Sequence, residues 1–198
     1  MRRTFLALAG LATAFAAATS APASAQVHYW DSRTDVRPLE YLDDGGYAPQ
    51  TAPIPRQQVA FSGRYAPGTI VISTTERRLY YVTAPGEAIE YGVGVGRPGF
   101  EWTGVKTVSA KREWPSWTPP AEMRKRRPDL PAYMSGGMDN PLGARAMYLG
   151  SSLYRIHGSN EPDTIGQAVS SGCIRMTNDD VVDLYSRVRV GTKVVVLD

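Results

Sequence analysis

From Gly68 to the C-terminus the chain is cut by turn residues into short runs rich in β-branched and aromatic side chains, and this punctuation constrains the fold most. TIVIST (69–74) and RLYYVT (78–83) flank the turn Thr75-Glu76-Arg77. After Ala84-Pro85-Gly86, AIEYGVGVG (88–96) reads as a third strand, its glycines marking bends or close backbone approach. VKTVSAKREW (105–114), ARAMYLG (144–150), LYRIHG (153–158) and TKVVVLD (192–198) complete the set. Short strands divided by turns predict a mainly β sandwich or barrel. One short C-terminal helix is expected beside it. Thr177-Asn178-Asp179-Asp180 fits a capping pattern, and Val181, Leu184, Tyr185 and Val188 recur at helical spacing.

The strand pattern is interrupted once, at about 113–143. Pro115, Pro119, Pro120, Pro128, Pro131 and Pro141 argue against regular structure there. Loops this long are usually lids or disordered segments, and Trp114, Trp117 and Tyr133 favour an ordered lid. Trp117 and Tyr133 are therefore candidate substrate contacts. The run Arg124-Lys125-Arg126-Arg127 would attract an anionic substrate, the alternative being a solvated charge cluster.

Ahead of the domain, residues 1–25 combine Arg2 and Arg3, an apolar stretch from Phe5 to Ala18, and Ala23-Ser24-Ala25. That is the layout of a secretory signal peptide, too short in its apolar part to be a spanning helix. Export of a soluble protein, to the periplasm, is the expectation, with no stable membrane insertion. Residues 26–66, rich in Pro and Gly, read as a linker or arm, leaving 67–198 as the globular domain. Removing residues 1–25 takes away two arginines and no acid, so 20 basic residues face 19 acidic ones. The basic pI is thus no argument for a nucleic-acid partner.

Exported proteins use cysteines in pairs, and this chain has one, Cys173. A lone thiol is either a small buried apolar residue or a reactive group. A free thiol, with a pKa of about 8.5, needs a base to attack a carbonyl. Of the two histidines, His28 lies in the arm, and His157 ends a strand from which a glycine-bearing loop leads back to Cys173. His157 is the expected base. Gly172 allows close backbone approach, and the amides around Gly172 and Cys173 can serve an oxyanion hole, with Gly158 in the same loop set. Ser170 and Ser171 can bond within the loop. Arg175 can grip a substrate carboxylate or pair with Asp179 or Asp180. One cysteine and one placed histidine fall short of a metal ligand set, and no cofactor is called for.

IHGSNEPDTIGQAVSSGCIRMTNDD (156–180) resembles the active-site motif of the L,D-transpeptidases, the YkuD (ErfK/YbiS) family. His157-Gly158, Gly166, Ser170, Gly172-Cys173, Arg175-Met176, Asn178 and Asp180 carry the match, with WTPP (117–120), Gly136-Gly137, NPLGARA (140–146) and the TTERRLYYV opening. Ser159 stands where the family usually has threonine. Ser171 stands where it usually has histidine, so His157 alone is left as base. The resemblance implies that Cys173 attacks the carbonyl at the L-centre of a diamino acid in a peptidoglycan tetrapeptide stem and expels D-alanine. His157 would take the thiol proton and return it to the leaving amine. An amine then resolves the thioester, from a second stem in a 3→3 crosslink or from a lysine of an envelope protein. It also implies that carbapenems acylate the cysteine.

Three rival readings stay open. An L,D-carboxypeptidase would use the same site with water as acceptor. A catalytically silent wall-binding module would need neither Cys173 nor His157. A redox sensor would use the thiol and leave His157 unexplained.

Overall fold

The structure, a computed structural model, describes residues 52–198. The leader, His28 and the arm aromatics Tyr29, Trp30, Tyr41 and Tyr47 lie outside the described residues. Among those described, eleven strands and two short α-helices follow in order, with one 3-10 turn at Pro162–Thr164: β1 (Gln57–Ala60), β2 (Ile70–Ser73), β3 (Arg78–Ala84), β4 (Glu87–Gly92), β5 (Val95–Gly96), β6 (Gly104–Glu113), α1 (Ala121–Arg126), β7 (Arg145–Leu149), β8 (Arg155–His157), β9 (Ala168–Ser170), β10 (Ile174–Arg175), α2 (Asn178–Arg187) and β11 (Lys193–Leu197). The expected mainly β fold with a C-terminal helix is what is found. No helix among the described residues is long and apolar enough to cross a membrane.

Nine strands join in the order β1-β4-β3-β2-β11-β6-β7-β8-β10, and β5 pairs with β9 separately. The ten-residue β6 holds the sheet together. Its first residues, 104–107, pair with β11 and its later ones, 108–113, with β7. Fully buried side chains from both halves, Ile70, Ile72 and Leu79 on one and Met147, Leu149 and Ile156 on the other, belong to one cluster with Val181 and Leu184 of α2. Apolar residues recur along α2 at helical spacing, so one face of the helix closes this core. Its ends are capped from opposite sides. Thr177 Oγ1 accepts the Asp180 N–H at 3.2 Å, and Lys111 Nζ donates to the Tyr185 and Val188 carbonyls at 2.7 and 2.6 Å.

Three stretches differ from expectation. Gln57–Ala60, read as linker, pairs with β4 as an edge strand. The run 88–96 is not one strand, because pairing to β3 ends at Gly92 and the chain then turns toward β10. Gly94 exchanges both backbone hydrogen bonds with Arg175, at 2.9 Å each, and a Cβ on Gly94 would lie 2.9 Å from Thr164 O. The proline-rich insertion contains helix α1. Prolines 115–120 and 128–131 bracket 121–127, and Ala-Glu-Met-Arg-Lys-Arg is composed of strong helix formers.

Candidate active site

The site grows from one short parallel pair. β8 and β10 run side by side with Ile156 opposite Ile174 and His157 opposite Arg175. Ile156 and Ile174 are both buried in the core. Strand alternation therefore sends Arg155 and His157 to the other face, together with Cys173 and Arg175. All four line one cavity of about 640 Å³.

His157 is buried and its Nδ1 lies 2.6 Å from Gly158 O. A carbonyl only accepts, so Nδ1 carries the proton and Nε2 keeps its lone pair. Burial, reinforced by the nearby Arg175 guanidinium, lowers the imidazole pKa to about 3. Cys173 is half-buried, and its thiol donates to Leu153 O at 3.7 Å. Burial pushes the thiol up, against the pull of Arg155 and Arg175. Both shifts favour a resting pair of neutral thiol and neutral imidazole over thiolate and imidazolium. Gly158 has a second role. A Cβ there would sit 2.3 Å from Asn178 Oδ1, the oxygen that accepts the Ala144 N–H at 2.9 Å.

The turn before Cys173 is tied by Ser170, whose hydroxyl donates to Cys173 O at 2.6 Å and accepts the Gly172 N–H at 3.0 Å. Gly172 adopts φ +99°, and a Cβ would meet the Tyr154 ring at 2.6 Å. Its N–H is committed to Ser170, which corrects the expectation of a Gly172 oxyanion donor. Its carbonyl accepts Trp102 Nε1–H at 2.7 Å, and the Trp102 ring stacks on Tyr154 with centroids 4.6 Å apart. Ser171 Oγ accepts from Arg97 Nη1 at 3.3 Å and faces the cavity.

Arg175 pairs with an acid, but neither Asp179 nor Asp180. Its Nη1 lies 2.9 Å from Glu161 Oε2. Glu161 is itself set by its N–H donating to Ser159 Oγ at 2.9 Å. The insertion forms the opposite wall, with Trp117, Met123, Arg126, Leu130 and Met134 among the lining side chains. Trp117 and Met134 exchange backbone hydrogen bonds at 2.8 Å in both directions, which anchors that wall. Tyr133, expected to contact substrate, is 59% exposed and lies outside the cavity lining. It precedes Met134, whose side chain faces the cavity.

Arg97, Tyr154, Arg155 and Glu161 escaped the sequence reading as site residues. Arg155 carries a signal there, since it shares the strand face of His157. Tyr154 sits in the same run just before β8, while Arg97 and Glu161 reach the site through the β4–β5 departure at Gly94 and through a loop whose path no periodicity reveals.

The YkuD model, L,D-transpeptidase catalytic domain, matches residues 67–196. A probable L,D-transpeptidase ErfK/SrfK of Escherichia coli (strain K12) is 44% identical over 138 residues, covering 65% of this chain and 44% of the relative. The chain thus spans less than half the length of that curated relative. A crystal structure from Brucella melitensis, named a probable carnitine operon oxidoreductase, is 49% identical, covers 74% of this chain and 96% of its own, and has a TM-score of 0.51. L,D-transpeptidase 3 of Mycobacterium tuberculosis shares the fold at 19% identity, over 66% of this chain and 60% of that one, with a TM-score of 0.52. With the family model matching well over half of its residues, this chain belongs to the L,D-transpeptidase catalytic domain (YkuD) family.

Proposed function

We propose that this protein is an exported cysteine acyltransferase that acts on peptidoglycan tetrapeptide stems. The single observation that carries the reading is the shared strand face. A lone thiol, a buried imidazole with a fixed tautomer and two arginines converge on one cavity. Cys173 Sγ attacks the carbonyl at the L-centre of the stem's diamino acid, and its proton passes to His157 Nε2. The tetrahedral oxyanion takes the Cys173 N–H, the Gly172 N–H being engaged by Ser170. The C–N bond to D-alanine breaks as His157 returns the proton to the leaving amine. An acceptor amine then attacks the thioester, giving a 3→3 crosslink or an envelope protein joined through lysine.

The neutral resting pair fits this order of events. A thiol pushed up by burial is not consumed as a standing thiolate, and proton transfer accompanies attack. In the resting geometry the thiol points at Leu153 O, so a χ1 or S–H rotation toward His157 precedes the reaction. The insertion wall supplies apolar surface and cationic side chains, suiting a lid that holds an anionic stem and limits water. The leader at 1–25 would deliver the chain to the compartment where stems are found.

Incubating residues 26–198 with purified disaccharide-tetrapeptide, read by mass spectrometry, tests this. A crosslinked dimer lacking one D-alanine is expected. Tripeptide monomer without dimer would make water the acceptor and the enzyme a carboxypeptidase. Cys173→Ala should lose all turnover while shifting the thermal midpoint by no more than about 4 °C, the size expected for trimming one small half-buried side chain. An active Cys173→Ala variant would overturn the mechanism.

A further inference from the structure

Five arginines line the cavity, Arg97, Arg126, Arg127, Arg155 and Arg175, and they are not equivalent. Arg175 is paired with Glu161 and Arg127 with Asp129, each within 3 Å. Arg155 stands beside the thiol, its Nη1 bonded to Leu153 O. Arg97 and Arg126 have no carboxylate partner among the described residues. They meet over one ring instead. The Arg97 guanidinium carbon lies 4.2 Å from the Phe100 centroid and that of Arg126 lies 5.3 Å from it.

The two side chains arrive from opposite walls. Arg97 follows β5, and its N–H donates to Ser170 O at 3.0 Å, so its backbone is fixed to the turn that carries Cys173. Arg126 ends α1 on the insertion. Two like charges brought to one aromatic ring repel, and an anion bound between them would relieve that repulsion. Among the described residues Arg97 makes one side-chain hydrogen bond, to the neutral Ser171 hydroxyl, long at 3.3 Å, which leaves most of its five N–H donors uncommitted there. Three acids line the cavity as well. Glu161 is held by Arg175 and Glu122 by Lys125, leaving Asp139 as the one of these acids without a side-chain partner among the described residues. Set against Arg97, Arg126 and Arg155, that single acid leaves the unpaired charge facing the cavity net cationic.

We propose that Arg97 and Arg126, braced by Phe100 and Ser171, form a carboxylate-binding subsite that selects stems bearing a free side carboxylate over stems amidated at that position. This rests on the stem-peptide reading above and deepens it. It sets this subsite apart from Arg175, whose Nη1 is already engaged by Glu161. Ser171 is part of the device, since a hydroxyl at this position both accepts from Arg97 and leaves room for the guanidinium. A bidentate guanidinium distinguishes carboxylate from carboxamide because the amide offers one acceptor and a repelling N–H pair.

Isothermal calorimetry on the Cys173→Ala chain, titrated with a disaccharide-tetrapeptide carrying free carboxylates and with its amidated counterpart, separates binding from chemistry. The free-carboxylate stem is expected to bind about 10- to 100-fold more tightly, the value of a charge-assisted pair. Adding Arg97→Gln or Arg126→Gln should erase most of that ratio while leaving the amidated stem's Kd in place, and Arg97→Lys should recover part of it. Equal affinity for the two stems, or variants that weaken both stems alike, would overturn the subsite. Turnover by the unmutated chain is measured in parallel. Absent turnover with the Arg97-dependent ratio intact would defeat the transpeptidase reading and leave the subsite standing.

Discussion

At the scale of single residues, His157 is the group whose chemistry is most altered by its surroundings. Its pKa of about 3 in the fold lies below the 6.5 of a free imidazole. Between those values the unfolded chain binds a proton that the folded chain refuses, so stability falls as pH drops from 6.5 toward 3. At pH 5 the cost is about 2 kcal/mol. Denaturant midpoints measured at pH 7.5 and pH 5 should show that loss in the parent chain and a flatter profile in His157→Gln. Equal slopes would mean that His157 does not titrate this way. Gly172 is the second sensitive residue. With φ +99° and the Tyr154 ring at Cβ distance, Gly172→Ala is strained and crowded at once. Turnover should fall at least ten-fold with displacement of the Cys173 amide, and a fully active Gly172→Ala would show that the turn adapts freely.

At the scale of elements, α2 and the β8–β10 pair divide the work. α2 carries no cavity-lining residue, yet its first turn holds the site's frame. Asn178 Oδ1 takes the Ala144 N–H where β7 begins, beside Gly143 and Gly158. The Asn and Asp of the motif are thus pins. Thr177→Ala removes the cap on Asp180 N–H and should lower stability by about 1 kcal/mol, read by chemical denaturation. A loss well under 0.5 kcal/mol would indicate that the buried face alone holds the helix. The capping pattern and apolar spacing of α2 were legible in the sequence because both are local. β9 and β10 were not, since strands of three and two residues carry no periodicity and exist only through partners far along the chain.

Across the whole molecule, the N-terminal edge and the C-terminal helix are joined through charge. Arg56, just before β1, lies 3.6 Å from Asp180 Oδ1 and 3.3 Å from Asp183 Oδ2, both buried acids of α2. Asp183 also accepts from the Tyr91 hydroxyl at 2.5 Å and from Arg187 at 3.0 Å. Burial holds the Asp180 carboxyl above the usual carboxylate range, with Arg56 pulling the other way. Arg56→Gln should cost about 1–2 kcal/mol, discounted because the guanidinium is part exposed. Thermal melts of the two chains would check it, and an unchanged midpoint would assign the hold on this segment to β1 pairing alone. By itself the sequence determined the β class and the capped helix and singled out Cys173 and His157 as candidates, because strand alternation, capping and the scarcity of Cys and His are properties of short stretches or of counts. Only the tertiary structure decided that Gly172 spends its N–H on Ser170, that Arg175 holds Glu161, that Tyr133 turns away, and that Arg97 and Arg126 meet at one ring. Each of those depends on residues distant in the chain being brought within hydrogen-bond or van der Waals reach, and distance in space is not written in any local pattern.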